Sequence, residues 1–121
     1  MGQNLRRNNG IETEKVFFES YICVAGVTPE IDLTGGTLVG VLPGEITSTT
    51  FTITVSNESG GTFVTLKDPL ASGAAITYTI GSTSLGYFPI SPLTTAGFRF
   101  CKINFDQSET PTVRIAKRSM E

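Results

Sequence analysis

The residues able to do chemistry are few and loosely grouped. Four carboxylates form two close pairs, Glu30 with Asp32 and Asp106 with Glu109. Such pairs could share acid and nucleophile work on a glycosidic bond, and clustered carboxylate oxygens could hold calcium. Both pairs sit beside turn residues, in "VTPEID" and "DQSETP", where a solvated loop charge is the ordinary role. Neither has the oxygen density of a dedicated calcium loop. The chain has no histidine, so Ser–His and Cys–His nucleophiles and histidine-bound metals are excluded. Cys23 and Cys101 are too few for a structural zinc site or a disulfide framework. They read as small buried hydrophobes with free thiols. Tyr87, in "LGYFP", is the one candidate platform for a sugar ring, and a strand-end tyrosine packed on a sheet is the commoner role. No catalytic residue, cofactor or metal is expected.

The elements that must position these residues are strands. In "TFTITVSN" Phe51, Ile53 and Val55 alternate with Thr50, Thr52 and Thr54, the pattern of a half-buried strand with a β-branched outer face. "AITYTIG" repeats it with Ile76, Tyr78 and Ile80. "KVFFESYICV" puts Val16, Phe18, Ile22 and Val24 on one face. "TVRIAK" offers Val113 and Ile115, and "TLVGVLPG" and "GTFVTLKD" are strand-like but less regular. No segment sustains an apolar stripe at helical spacing. In "GFRFCKINFD", Phe98 and Phe100 share one face while Cys101, Ile103 and Phe105 share the other. Either both faces are covered or an extra residue shifts the phase, and a β-bulge near Phe100–Cys101 is the favoured solution. Turn signals recur every 8 to 12 residues or so, which predicts an antiparallel sandwich or barrel. Eight or nine strands are expected near 15–19, 20–25, 29–34, 37–42, 50–57, 61–67, 74–80, 85–90, 97–105 and 111–117, with some merging. The predicted core is Phe51, Ile53, Val55, Ile76, Tyr78, Ile80, Phe98, Ile103 and Val113.

With 121 residues the chain suits one domain with one core. A formal net charge of -2 argues against a nucleic-acid partner, which selects a basic excess. No apolar run is long enough to span a membrane, and no export signal is expected from "MGQNLRRNNG". The body from Tyr21 to Phe98 is weakly charged, and most arginines lie near the ends. Candidate partner contacts are therefore Leu5, Arg6, Arg7, Asn8 and Asn9 in the first segment, with Arg114, Lys117 and Arg118 near the other end.

The order of pieces carries a resemblance. "GTLVGVLPGEI" leads into "STTFTITVSNESGGTFVTLKD", then "AAITYTIG", "LGYFPISPL", "TAGFRFCKINFD" and "PTVRIAKR". From Thr34 to Arg118 this resembles small β-sandwich structural proteins of tailed bacteriophages, of the capsid decoration (cement) or fibre type. The resemblance implies an all-β fold, a single antiparallel β-sandwich of jelly-roll kind. It also implies a non-enzymatic virion protein, made in the host cytoplasm and placed on the capsid surface. Its partner would be the major capsid protein or another virion protein, and it would form a homo-oligomer. A carbohydrate-binding module of a phage fibre or adhesin is the alternative. Cys101 stands where an aliphatic or aromatic residue is expected, and residues 1–14 have no counterpart.

That first segment is read physically as an extended arm, with the sandwich occupying 15–121. Fixing a residue costs about 1–2 kcal/mol, so ordering the arm costs on the order of 14–28 kcal/mol. Burying Leu5 and Ile11 returns about 4–5 kcal/mol. The shortfall predicts that the arm is ordered by contact with another protein chain, to which Arg6 and Arg7 would donate charge-assisted hydrogen bonds.

Overall fold

The computed structural model describes residues 14–44, 46–80 and 86–120. Eleven strands follow in order: β1 (Glu14–Ile22), β2 (Ile31–Asp32), β3 (Thr37–Leu42), β4 (Thr50–Ser56), β5 (Val64–Thr65), β6 (Lys67–Asp68), β7 (Ala74–Ala75), β8 (Thr77–Thr79), β9 (Phe88–Pro89), β10 (Phe100–Phe105) and β11 (Thr112–Met120). A 3-10 turn, Pro69–Ala71, separates β6 from β7. The two strands expected at 15–19 and 20–25 are one continuous strand, β1.

The strand pairing is that of one long hairpin folded on itself. β1 runs against β11, β2 against β10, β3 against β9, and β4 against β5 and β8, all antiparallel. Rolling this hairpin sets β3 beside β11 and β4 beside β10. Two layers result, β1-β11-β3-β9 and β2-β10-β4-β5 with β8 on β4, and β6 and β7 form a separate two-stranded ribbon. This order, with the chain passing between sheets at most connections, is a jelly-roll sandwich.

Alternation decides what lies between the sheets. Phe51, Ile53 and Val55 of β4, Cys101 and Ile103 of β10, Leu38 and Val41 of β3, and Val113 and Ile115 of β11 are all buried. Phe51 reaches from one sheet to the other: its ring stacks on Tyr78 at 4.8 Å and meets Phe88 edge-on at 5.8 Å. Ile76, Tyr78 and Phe98 are half-buried, and Tyr78 and Phe98 pack against this core.

The bulge is not at Phe100–Cys101. β10 keeps an unbroken register with β4, from Phe100–Ser56 to Phe105–Phe51. The strand begins only at Phe100, so Phe98 belongs to the preceding turn, where its amide donates to the Thr95 carbonyl, and is free of the alternation. Phe100 points to the opposite face from Cys101 and is covered there by the Arg99 guanidinium, 5.3 Å from the ring. The register shift lies between Ala116 and Lys117, which pair with Gly40 and Leu38. Val39 is therefore the extra residue, and it lets Leu38 and Val41, three apart, both face inward. That insertion explains the irregular look of "TLVGVLPG".

Candidate functional site

The four candidate acids are engaged as loop clamps. Glu109 accepts from the amides of Thr47 and Ser48, both at 2.8 Å, and from the Ser48 hydroxyl at 2.7 Å. Asp106 accepts from the Thr49 amide at 2.9 Å and its hydroxyl at 3.0 Å. Glu30 accepts from the Ser59 hydroxyl and the Gly60 amide, and Asp32 from the amide and hydroxyl of Thr34. Hydrogen bonds to the ionised form hold these carboxyls below their ordinary range. For Glu30 the Gly60 amide dominates, for Asp32 the Thr34 hydroxyl, and for Glu109 the Ser48 hydroxyl. At Asp106, desolvation pushes upward but the amides of Thr50 and Thr49 outweigh it. An acid used for proton transfer at neutral pH is tuned the other way. Among the described residues, no three His, Cys, Asp or Glu side chains converge as metal ligands.

Both thiols are free and buried. Desolvation pushes Cys23 up to about 11 and Cys101 up to about 12, so neither presents a thiolate.

The basic candidates divide by strand parity. Lys117 shares the inward row of β11 with Val113 and Ile115 and is 4 % exposed. Its ammonium lies 3.1 Å from Glu19 and donates to the Asp32 carbonyl at 2.7 Å, joining the two sheets. It also faces the Phe17 ring at 5.4 Å. Lys117 is thus a structural cation, which corrects its reading as a partner contact. Arg114 lies on the outer row, its guanidinium 4.9 Å from the Phe18 ring centre. Arg118, half-buried, shares that row. Leu5, Arg6, Arg7, Asn8 and Asn9 lie outside the described residues.

The outer face of the four-stranded sheet holds the site that sequence reasoning grouped but did not place. Val16, Phe18, Ile22 and Val24 all face solvent, at 56 %, 49 %, 64 % and 71 % exposure. The opposite row, Phe17, Glu19 and Tyr21 of β1 and Cys23 just past its end, is turned inward. Glu19 is tolerated there because Lys117 and the Tyr21 hydroxyl both contact its Oε1. Burial and that carboxylate push the Tyr21 hydroxyl upward. Across the sheet, Phe18 lies beside Ala116, Ser20 beside Arg114 and Ile22 beside Thr112. Next to them opens a groove of about 390 Å³ lined by Leu42, Gly44, Gly86, Tyr87, Thr112 and Arg114. The Tyr87 ring lies over Gly40, where a methyl group would come within 2.1 Å of its hydroxyl oxygen. That hydroxyl donates to the Val39 carbonyl at 3.2 Å. Tyr87 remains 47 % exposed.

This is an all-β jelly roll with a capped, weakly charged body and one apolar, arginine-bearing sheet face. No family model matches the chain, and no curated protein sequence does. Among solved structures it is similar to the SPBc2 prophage-derived protein YomS, with a TM-score of 0.54 at 15 % identity. The alignment covers 88 % of this chain and 95 % of that one, and the likeness is one of fold.

Proposed function

We propose that the protein is a non-enzymatic phage structural protein that attaches to another virion protein through the outer face of its four-stranded sheet and the segment preceding β1. The observation that carries this reading is the exposed row Val16, Phe18 and Ile22 beside Arg114, on the strand into which that segment runs. A contiguous apolar patch rimmed by charge marks a protein interface. The fold likeness to a prophage-derived protein supports a phage setting, and the resemblance to decoration proteins makes the outer capsid surface the first partner to test. The purified chain is added to particles lacking it, beside Phe18→Ser with Ile22→Ser and a deletion of residues 2–12. Both variants should keep the fold and lose attachment. Undiminished attachment by both overturns the reading.

A second reading rests on Tyr87, half-exposed beside Thr112 and Arg114. An open aromatic face beside hydrogen-bonding groups suits a sugar ring. Glycan binding that Tyr87→Ala abolishes would favour a fibre or adhesin module.

A further inference from the structure

We propose that the free edge of β1 pairs antiparallel with the same edge of a second copy, joining two four-stranded sheets into one of eight strands.

Among the described residues, β1 ends its sheet, with β11 as its only neighbour. The Cys23 amide donates to the Pro111 carbonyl, which extends the β1–β11 register by one pair. Backbone groups alternate along an antiparallel strand, so Phe17, Glu19 and Tyr21 also turn their amides and carbonyls to β11. Those of Val16, Phe18, Ser20 and Ile22 therefore point to the open edge. Past Ile22 the edge is closed, because Val24 and Val27 bond to each other.

Proteins guard such edges with proline, bulges or short strands. The other sheet edges here follow that rule: β2 and β5 have two residues each, β8 has three, and β9 is Phe88–Pro89. β1 runs for nine residues with no proline and an unbroken register. Its exposed row, Val16, Phe18, Ser20 and Ile22, is uncharged and mostly apolar. Among the described residues it is the one long unguarded edge.

Charge selects a second copy as occupant, and also selects the register. A two-fold axis at Phe17 places Lys15 opposite Glu19 of the second copy, and Glu19 opposite its Lys15. The same register sets Val16 against Phe18 on the outer face, twice. An axis at Glu19 would oppose the two Glu19 carboxylates, and one at Phe18 would oppose neither charge with its complement. Lys15 is exposed, and the Glu19 side chain is 34 % exposed. Among the described residues, both contacts of Glu19 use Oε1, and Oε2 is placed to accept from Lys15 of the other chain. Opposite charges across strands favour pairing, and like charges oppose it.

The test is sedimentation equilibrium of the whole chain without particles, so that its outcome is separate from attachment. The wild type should reach the mass of two chains. Ser20→Pro removes an edge-facing amide and spares the β1–β11 ladder, and should weaken self-association by at least about tenfold. Lys15→Glu, at an exposed position, should weaken it in the same direction and guards against misfolding of the proline variant. Phe17→Cys probes the register. Residues opposed without mutual hydrogen bonds lie about 4.5 Å apart at Cα, within disulfide reach, so mild oxidation should give a cross-linked dimer. A wild type that stays at the mass of one chain overturns the proposal, as does self-association indifferent to both Ser20→Pro and Lys15→Glu.

Discussion

The two sheets turn different surfaces to solvent. On the five-stranded sheet, Thr52, Thr54, Lys102 and Asn104 form the outer rows, and the Asn104 amide donates to the Thr54 hydroxyl at 3.1 Å. Threonine suits this place because its branched carbon favours the strand while its hydroxyl meets water. Cations cover the nearby rings: Lys102 sits 4.5 Å from Phe63 and Arg99 covers Phe100, which is buried. On the four-stranded sheet Arg114 sits over Phe18 in the same way, yet Phe18 stays half-exposed, with Val16 and, beyond Ser20, Ile22 exposed in the same row. One sheet is finished against water, and the other has the composition of an interface. Solubility alone would select threonine on both.

The largest way to break the contrast is to remove what joins the sheets. Phe51 is 1 % exposed and touches Tyr78 on its own sheet and Phe88 on the other. Phe51→Ala should cost about 3–5 kcal/mol by lost burial and cavity formation. Urea denaturation measures it, and a loss under about 1 kcal/mol would mean that Phe51 is not the link between the layers.

Arg114 and Lys117 sharpen the comparison, because they lie three residues apart on β11 and face opposite ways. Lys117→Ala leaves Glu19 facing the interior and the Asp32 carbonyl without its donor. Breaking a fully buried pair costs about 3–5 kcal/mol. Glu19 is partly solvated, so about 1–3 kcal/mol is expected here. Attachment should not change. Arg114→Ala should do the reverse, with stability nearly unchanged and attachment reduced. Melting curves and particle binding on the two variants decide between these patterns.

The acids mark a further difference between the sheets. The Glu30, Asp32, Asp106 and Glu109 clamps gather around β2, β4 and β10, all in the five-stranded sheet. Their folded-state values lie below their ordinary ones. The unfolded chain therefore binds protons more readily, and the stabilisation is complete above the unfolded carboxylate range, near pH 4–5 or so. It is lost as pH falls through the folded values. Hydrogen exchange at pH 3 against pH 6, corrected for intrinsic rates, should show β4 and β10 losing protection before the β1–β11 pair. Glu109→Gln with Asp106→Asn should shrink that difference.

Much of this was legible in the chain, and the failures share a cause. Strands near 37–42, 50–57 and 111–117, and the inward set Phe51, Ile53, Val55, Ile103 and Val113, follow from period-two alternation, which is local. Alternation separates two faces and does not say which one meets another sheet. The row Val16, Phe18, Ile22 and Val24 is the more apolar of the two, yet it faces solvent, because Lys117 on the neighbouring strand neutralises Glu19. The sign of Lys117 was present in "TVRIAK", since it shares parity with Val113 and Ile115, but a lysine at the end of a strand reads as solvated. The sequence places the bulge where an apolar row changes phase. It lies at Val39, where the extra residue shows only as two buried aliphatics spaced three apart.

The smallest expected effect concerns the groove on the interface-like sheet. Gly40 accepts the Tyr87 ring because it has no Cβ; a methyl group there would lie 2.1 Å from the hydroxyl oxygen and 2.3 Å from Cζ. Gly40→Ala must therefore push the ring outward. The hydrogen bond to Val39 would be lost, at about 0.5–1.5 kcal/mol, while the Ile90 amide still donates to that carbonyl at 2.9 Å. Removing a glycine from a strand returns about 0.5–1 kcal/mol. The two nearly cancel, so stability should move by less than about 1 kcal/mol while Tyr87 gains exposure. Nitration followed by mass spectrometry reads that exposure directly, because Tyr21 and Tyr78 are half-buried and serve as internal references. Faster nitration at Tyr87 alone is the expected result. If attachment to particles also falls, the groove belongs to the docking surface; if it holds while a glycan ligand is lost, Tyr87 serves the sugar reading instead. An unchanged nitration rate would mean that the ring does not rest on Gly40 in solution.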